Sequence, residues 1–467
     1  MSRPSLSITI LFALGAARLS AQEAQGPLAA SQRAGIDSAV REVLARTGTP
    51  SASIAVVRDG RTAYLQAYGS ARLTPETPAT VSQRYSIGSI SKQFTATAVL
   101  LLAEAGQLSL DDKVGKWLPD LTRGNSVALR QILSMTSGYQ DYWPQDYVMP
   151  GMLKPTTAQE ILAQWARKPL DFEPGTKWQY SNTNYVIAGL IVEKVSGLPL
   201  LEFLRRRVFA PLRMESVADI DAGPLGGSDP TGYLRYALGP PRPAPKEAPG
   251  WLFAAGELAM TAADLARWDI AMLDHAVLKP ESYRTMQRDT QLQNGVGTGY
   301  GLGVSVGMAG GRRVISHGGE VSGFTARNAV YPDDRTAIVV FTNLDATGAS
   351  AQIASGIASV LFSATDVASP AATEQARAIF AELQQGRIDR TLFSANANAY
   401  FSAQALADFA ASLGPLGTVH EFVPVNQGLR GGMVSRVFRI RVGQKVLSLT
   451  TFTLPDGKLE QYQIAAT

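Results

Sequence analysis

Strand-like segments fall near the two ends of a long stretch of this chain, and most of what lies between reads as helical. Ala52–Val57 and Thr62–Gly69 flank Asp59-Gly60, a pair suited to a tight hairpin because glycine accepts the positive φ that such turns need. Far later, Arg313–Ser316, Arg327–Tyr331 and Ala337–Thr342 carry the β-branched and aromatic content of strands. Ser31–Arg46 places Ile36, Val40, Val43 and Leu44 at helical spacing ahead of the hairpin, and a helix over Ile353–Phe362 follows the last strand. This order predicts an α/β (α+β) sandwich. Its antiparallel sheet takes strands from both ends of the stretch, terminal helices flank the sheet, and an all-helical region is inserted between.

At 467 residues the chain is too long for one ordinary core, and two or three domains are expected. The balance of 45% hydrophobic and 18% charged residues suits a globular protein with a sizeable interior. There is no cysteine, which excludes disulfides, thiolate metal sites and a cysteine nucleophile. The three histidines, His275, His317 and His420, are scattered, which argues against a zinc hydrolase, and no cofactor is expected.

Arg3, the apolar run Ile8–Ala17 and small residues up to Ala21 predict a cleavable export signal over residues 1–21. A periplasmic or secreted product with no stable membrane anchor follows. Loss of Arg3 and Arg18 would take the formal charge from +4 to +2, too weak and dispersed for nucleic-acid binding. Ser363–Thr373, small, polar and interrupted by Pro370, reads as a boundary between a domain at 30–363 and a small α+β unit at 374–467. In the latter, helical patterns at Glu374–Gln385 and Ser402–Leu413 precede alternating strands around Phe438, Ile440 and Val442, a loose likeness to the NTF2-like cone fold.

One lysine in the chain, Lys92, has a serine three residues before it, Ser89. On a helix running from Ser89 to Gly106 the two share a face, so an amine can meet a hydroxyl. A serine is a weak nucleophile until a base takes its proton, and a desolvated lysine can be that base. The pair alone is weak, since Ser-x-x-Lys arises about once by chance in a chain this long. Two further motifs strengthen it: Tyr180-Ser181-Asn182 is the one Tyr-x-Asn in the chain and His317-Gly318-Gly319 the one His-x-Gly.

In that order the three motifs resemble the serine β-lactamase and penicillin-binding protein superfamily, in the branch of class C β-lactamases, D-Ala-D-Ala carboxypeptidases, D-aminopeptidases and β-lactamase-like esterases. Tyr85-Ser86-Ile87-Gly88, Met135-Thr136-Ser137-Gly138, Glu173-Pro174-Gly175 and Tyr300-Gly301-Leu302-Gly303 support the likeness, which runs from about Ile36 to Phe362. The resemblance implies Ser89 as nucleophile, Lys92 as general base, and Tyr180 as a second base and the acid for the leaving group. Asn182 would hold Lys92 and the substrate, and the backbone N–H groups of Ser89 and Glu320 would bind the oxyanion. His317, Gly318 and Gly319 would line the substrate site.

Class C β-lactamases carry a lysine where this chain has His317. A histidine with an ordinary pKa near ~6.5 is mostly neutral at pH 7 and holds an anion less firmly. The expectation is a secreted serine hydrolase acting on an ester or an amide/D-peptide bond, in a small-molecule or peptidoglycan-like substrate. A β-lactamase is one alternative, and a non-catalytic sensor of cell-wall fragments or β-lactams is another. Asp141–Pro155, rich in Tyr, Trp, Pro and Met, either lines the cleft or covers the core. Asp111-Asp112 and Asp333-Asp334 read as solvated turns.

Overall fold

The computed structural model describes residues 28–145, 147–362 and 369–466. The predicted signal segment at 1–21 and much of the linker after Phe362 lie outside the described residues. Among the described residues, no helix is long and apolar enough to cross a membrane.

Helix α1 (Ala30–Thr47) leads into strands β1 (Ser51–Arg58), β2 (Arg61–Leu73) and the short β3 (Glu76–Pro78). The late strands are β4 (Ser305–Ala309), β5 (Arg312–Val321), β6 (Phe324–Tyr331) and β7 (Thr336–Thr342). They form one seven-stranded sheet in the order β3-β2-β1-β7-β6-β5-β4. The two ends of the stretch meet where β1 pairs antiparallel with β7, Ile54 opposite Val340. At the β1–β2 turn both Asp59 (φ 51°) and Gly60 (φ 73°) are left-handed, as a two-residue hairpin requires.

Both faces of the sheet are covered, which is why its central strands are apolar throughout. Side chains alternate along β1. Ile54 and Val56 pack with Ile338 and Val340 beneath α1 and the terminal helix Ala349–Phe362. Ala55 and Val57, with Val339 and Phe341, face the inserted region. There, α2 (Ser91–Glu104) is almost wholly buried and packs with α3 (Asn182–Ser196) and α4 (Ala262–Leu273). Thr261 caps α4 by accepting from the Asp264 N–H, as its sequence suggests.

The α/β sandwich is therefore the observed architecture. Three details differ from the expected elements. The inserted region also holds a small ladder joining Tyr85–Ser86, Leu258–Met260 and Ala218–Asp219. Ser89 lies in a 3-10 turn, Gly88–Ile90, just ahead of α2. Strand β5 continues beyond Ser316 to Val321, through the two glycines, because Gly318 pairs with Arg327 and Gly319 with Ala326.

Residues 369–466 add helices Ser369–Leu383 and Ala403–Leu413 and a four-stranded antiparallel sheet, Val419–Arg430, Met433–Val442, Lys445–Thr453 and Leu459–Ala466. Phe380, Leu383, Phe438, Ile440 and Leu449 make a core of their own.

Candidate active site

Three stretches far apart in sequence converge at one end of α2. The Lys92 amine lies 2.9 Å from Ser89 Oγ, 2.8 Å from Asn182 Oδ1 and 2.8 Å from the Ala255 carbonyl. Tyr180 faces the same centre: the Ser89 side chain acts on its hydroxyl, and the Lys92 amine stands 5.0 Å from the Tyr180 ring centre. Lys92 is fully buried, and the cost of desolvating an ammonium brings its pKa down to about 7; the Asp141 carboxylate pulls the other way. Burial acts oppositely on Tyr180, whose hydroxyl is held well above its ordinary pKa.

The edge of the sheet reaches this centre only because side chains are missing. A Cβ on Gly319 would lie 1.9 Å from the Ile87 carbonyl oxygen, and one on Gly88 would lie 2.8 Å from the Glu320 amide nitrogen. Gly88 also sits at φ +49°, a region that favours glycine. The Glu320 backbone is thereby brought against the turn that carries Ser89.

His317 is buried, and both of its ring nitrogens are engaged. Nδ1 donates to the Gly318 carbonyl at 2.5 Å, so Nε2 is left to accept from the Tyr300 hydroxyl at 2.9 Å. Burial, with Lys92 nearby, drives its pKa down to about 3, and the ring is neutral at pH 7. It stands 6.2 Å, centre to centre, from the Tyr180 ring.

The sequence assigns no role to three contributors. Asp141 opens the aromatic segment and accepts from Asn182 through the backbone N–H (2.9 Å) and Nδ2 (3.3 Å). The stretch that follows serves both expected uses: Tyr142, Trp143, Tyr147 and Val148 line the cleft, and Met152 is buried away from it. Tyr300 holds His317. Arg327, opposite Gly318, lines the cleft as well. Tyr300 opens the Tyr-Gly-Leu-Gly stretch, Asp141 the aromatic segment and Arg327 a strand-like run, but none of these patterns assigns the residue its contact.

Met135 proves to be a support for the tyrosine motif: its sulfur accepts from the Ser181 N–H at 3.4 Å and its carbonyl from the Gln179 N–H. Asp111 and Asp112 lie outside the site, paired with Arg130 and Lys116. The cleft encloses about 980 Å³ and is walled by Ser89, Tyr180, Asn182, His317, Gly318, Gly319 and Glu320, with Trp143, Tyr147 and Tyr236 at its rim.

The family model for Beta-lactamase matches residues 36–361. A D-aminopeptidase of Brucella anthropi is 30% identical over 68% of this chain and 60% of its own length. Penicillin-binding protein 4* of Bacillus subtilis is 28% identical over 62% of this chain and 67% of its own. This chain thus spans about three fifths of the D-aminopeptidase it matches. Among solved structures, a D-stereospecific amidohydrolase from Streptomyces aligns with 71% of the chain and 99% of its own at a TM-score of 0.62 and 28% identity. The octameric penicillin-binding protein homologue from Pyrococcus abyssi shares the fold over 93% of this chain and 96% of its own, with TM-score 0.64 at 21% identity. With most of its length matched in this way, the chain belongs to the β-lactamase family, within the serine β-lactamase and penicillin-binding protein-like superfamily.

Proposed function

We propose that the chain is a serine hydrolase that cleaves an ester or an amide/D-peptide bond through an acyl-Ser89 intermediate. The observation that carries this reading is the buried Lys92 amine, with a pKa near 7, hydrogen-bonded to Ser89 Oγ at 2.9 Å. A base is most useful when its pKa lies close to the working pH. Ser89 Oγ attacks the substrate carbonyl as Lys92 takes its proton. Tyr180, kept protonated by burial, gives its proton to the leaving group and regains one from the Lys92 ammonium, so that both groups are restored. The backbone N–H groups of Ser89 and Glu320 bind the oxyanion, and Asn182 fixes Lys92 while offering its amide to the substrate. Water then releases the acyl group.

A neutral His317 supplies no ammonium for a β-lactam carboxylate, which places esters, amides and D-peptides ahead of β-lactams. The D-aminopeptidase and amidohydrolase relatives support the same order. Residues 30–363 form the catalytic domain in this reading, and 374–467 a separate α+β unit. The leader-like composition of residues 1–21 supports export to the periplasm or beyond.

The test is turnover of a p-nitrophenyl ester, and labelling by a fluorescent penicillin, in wild type and Ser89→Ala. Loss of turnover by about 10³-fold or more, with loss of the covalent label, is expected. Ester hydrolysis at the wild-type rate in Ser89→Ala would remove Ser89 from the mechanism. Reversible binding without any adduct in the wild type would favour a sensor.

A further inference from the structure

A chain of side-chain hydrogen bonds runs through the core behind the cleft. The Trp268 indole N–H donates to Gln93 Oε1 at 2.9 Å, and Gln93 Nε2 donates to Asn328 Oδ1 at 3.0 Å. Asn328 Nδ2 then donates to the Asp269 carboxyl, 2.8 Å from each oxygen. All four side chains are buried, none more than 1% exposed, and none lines the cleft. Both ends of the chain, Trp268 and Asp269, belong to α4, while Gln93 comes from α2 and Asn328 from β6. Gln93 directly follows Lys92, and Asn328 stands opposite His317 in the β5–β6 ladder. Directly opposed residues share a sheet face, so Asn328 and His317 project to the same side.

The chain has one direction. An indole nitrogen can only donate, so Gln93 must turn its oxygen to Trp268 and its amide nitrogen to Asn328. Asn328 must in turn face Asp269 with its nitrogen, and the carboxyl is left as the terminal acceptor. Asn328 is the one donor to that carboxyl among the described residues, and burial holds it well above the usual carboxylate range. Burying a carboxyl with so few partners is unfavourable, and apolar side chains of similar volume would fill such a seam at no loss of stability. What apolar packing lacks is direction. A satisfied chain of hydrogen bonds fixes the register of the helices and the strand that it joins.

We propose that Gln93, Asn328 and Asp269 are positioning residues for hydrolysis, tying the Lys92 turn of α2 to the strand pair that presents His317 and the Glu320 N–H. They touch no substrate and act through those groups. Ser89 and Lys92 belong to the helical region and the Glu320 N–H to the sheet, and a displacement of one against the other by about 1 Å can lower the rate about 100-fold. A chain anchored in α2, α4 and β6 at once resists that displacement. The inference goes beyond the hydrolase reading, on which it rests for the identity of the catalytic groups.

The experiment is steady-state hydrolysis of a p-nitrophenyl ester by the full-length protein and by Asp269→Leu and Asp269→Asn, with melting curves to establish folding. Asp269→Leu leaves the Asn328 N–H without an acceptor and should lower kcat by about 30-fold while KM stays within about threefold. Asp269→Asn keeps an acceptor oxygen and should hold kcat within about threefold of wild type. If Asp269→Leu does not fold, Gln93→Met, which interrupts the chain at its middle, should show the same fall in kcat. Wild-type kcat in a folded Asp269→Leu or Gln93→Met overturns the proposal. So does an Asp269→Asn as slow as Asp269→Leu, or a loss that lies in KM with kcat unchanged. A wild type that turns over no ester sinks the hydrolase reading and this inference with it, whereas an active wild type indifferent to the chain sinks this inference alone.

Discussion

Asp141 reaches Lys92 through a single amide: its carboxylate accepts from both Asn182 nitrogens, and Asn182 Oδ1 accepts from the Lys92 amine at 2.8 Å. The arrangement fixes which end of the Asn182 amide faces the lysine. It also sets a negative charge close enough to Lys92 to oppose the effect of burial on the amine.

Lys92 as base predicts kcat/KM for a neutral ester that rises with pH through about 7 and then levels. Removing the Asp141 charge removes a contribution that holds the Lys92 pKa up, so Asp141→Asn should move that limb to lower pH. Activity above the limb should fall about tenfold or less, since the amide still bonds to Asn182. A pH profile for the variant that superimposes on the wild type would disconnect Asp141 from the lysine.

The two glycines of the His-x-Gly motif should respond differently to alanine. At Gly319 the new methyl would meet the Ile87 carbonyl at 1.9 Å, and only movement of the Ser89 turn or of β5 relieves it. A loss of kcat/KM of about 100-fold or more is expected. At Gly318 the nearest atoms are the Arg327 guanidinium at 3.8 Å and the Ala326 carbonyl at 3.9 Å, ordinary contacts. Gly318→Ala should leave stability within about 1 kcal/mol. Paired melting curves and ester kinetics decide it, and equal behaviour of the two variants would contradict the packing described.

His317 should shape stability in acid. Its folded pKa, about 3, lies below the ~6.5 of an unfolded histidine, so between those values the unfolded chain binds the extra proton. The stability of the neutral buried ring is present above about 6.5 and is lost as pH falls towards 3. In urea unfolding, wild type should lose about 2 kcal/mol more than His317→Gln between pH 7 and pH 4.5. Parallel losses in both proteins would mean that the folded ring takes up its proton near the ordinary pH.

Much of the architecture was legible because it is local. The Asp59-Gly60 turn and the apolar runs of β1 and β7 follow from rules acting over a few residues. The serine and lysine were legible for the same reason, being one helical turn apart. The extension of β5 beyond Ser316 is not local: glycines weaken an isolated strand, whereas here the bareness of Gly319 is what lets the strand lie against Ile87.

What the chain specifies by itself is the order of elements, a covered sheet drawn from both ends of a stretch, and the spacing of Ser89, Lys92, Tyr180 and Asn182. What required the folded state is the electrostatics: a lysine near pH 7, a histidine neutral with both nitrogens bound, and Asp141 and Arg327 brought to the cleft from segments whose local pattern assigns them no role. Those properties come from desolvation and from partners distant along the chain, and neither exists until the sheet and the helical region close on each other.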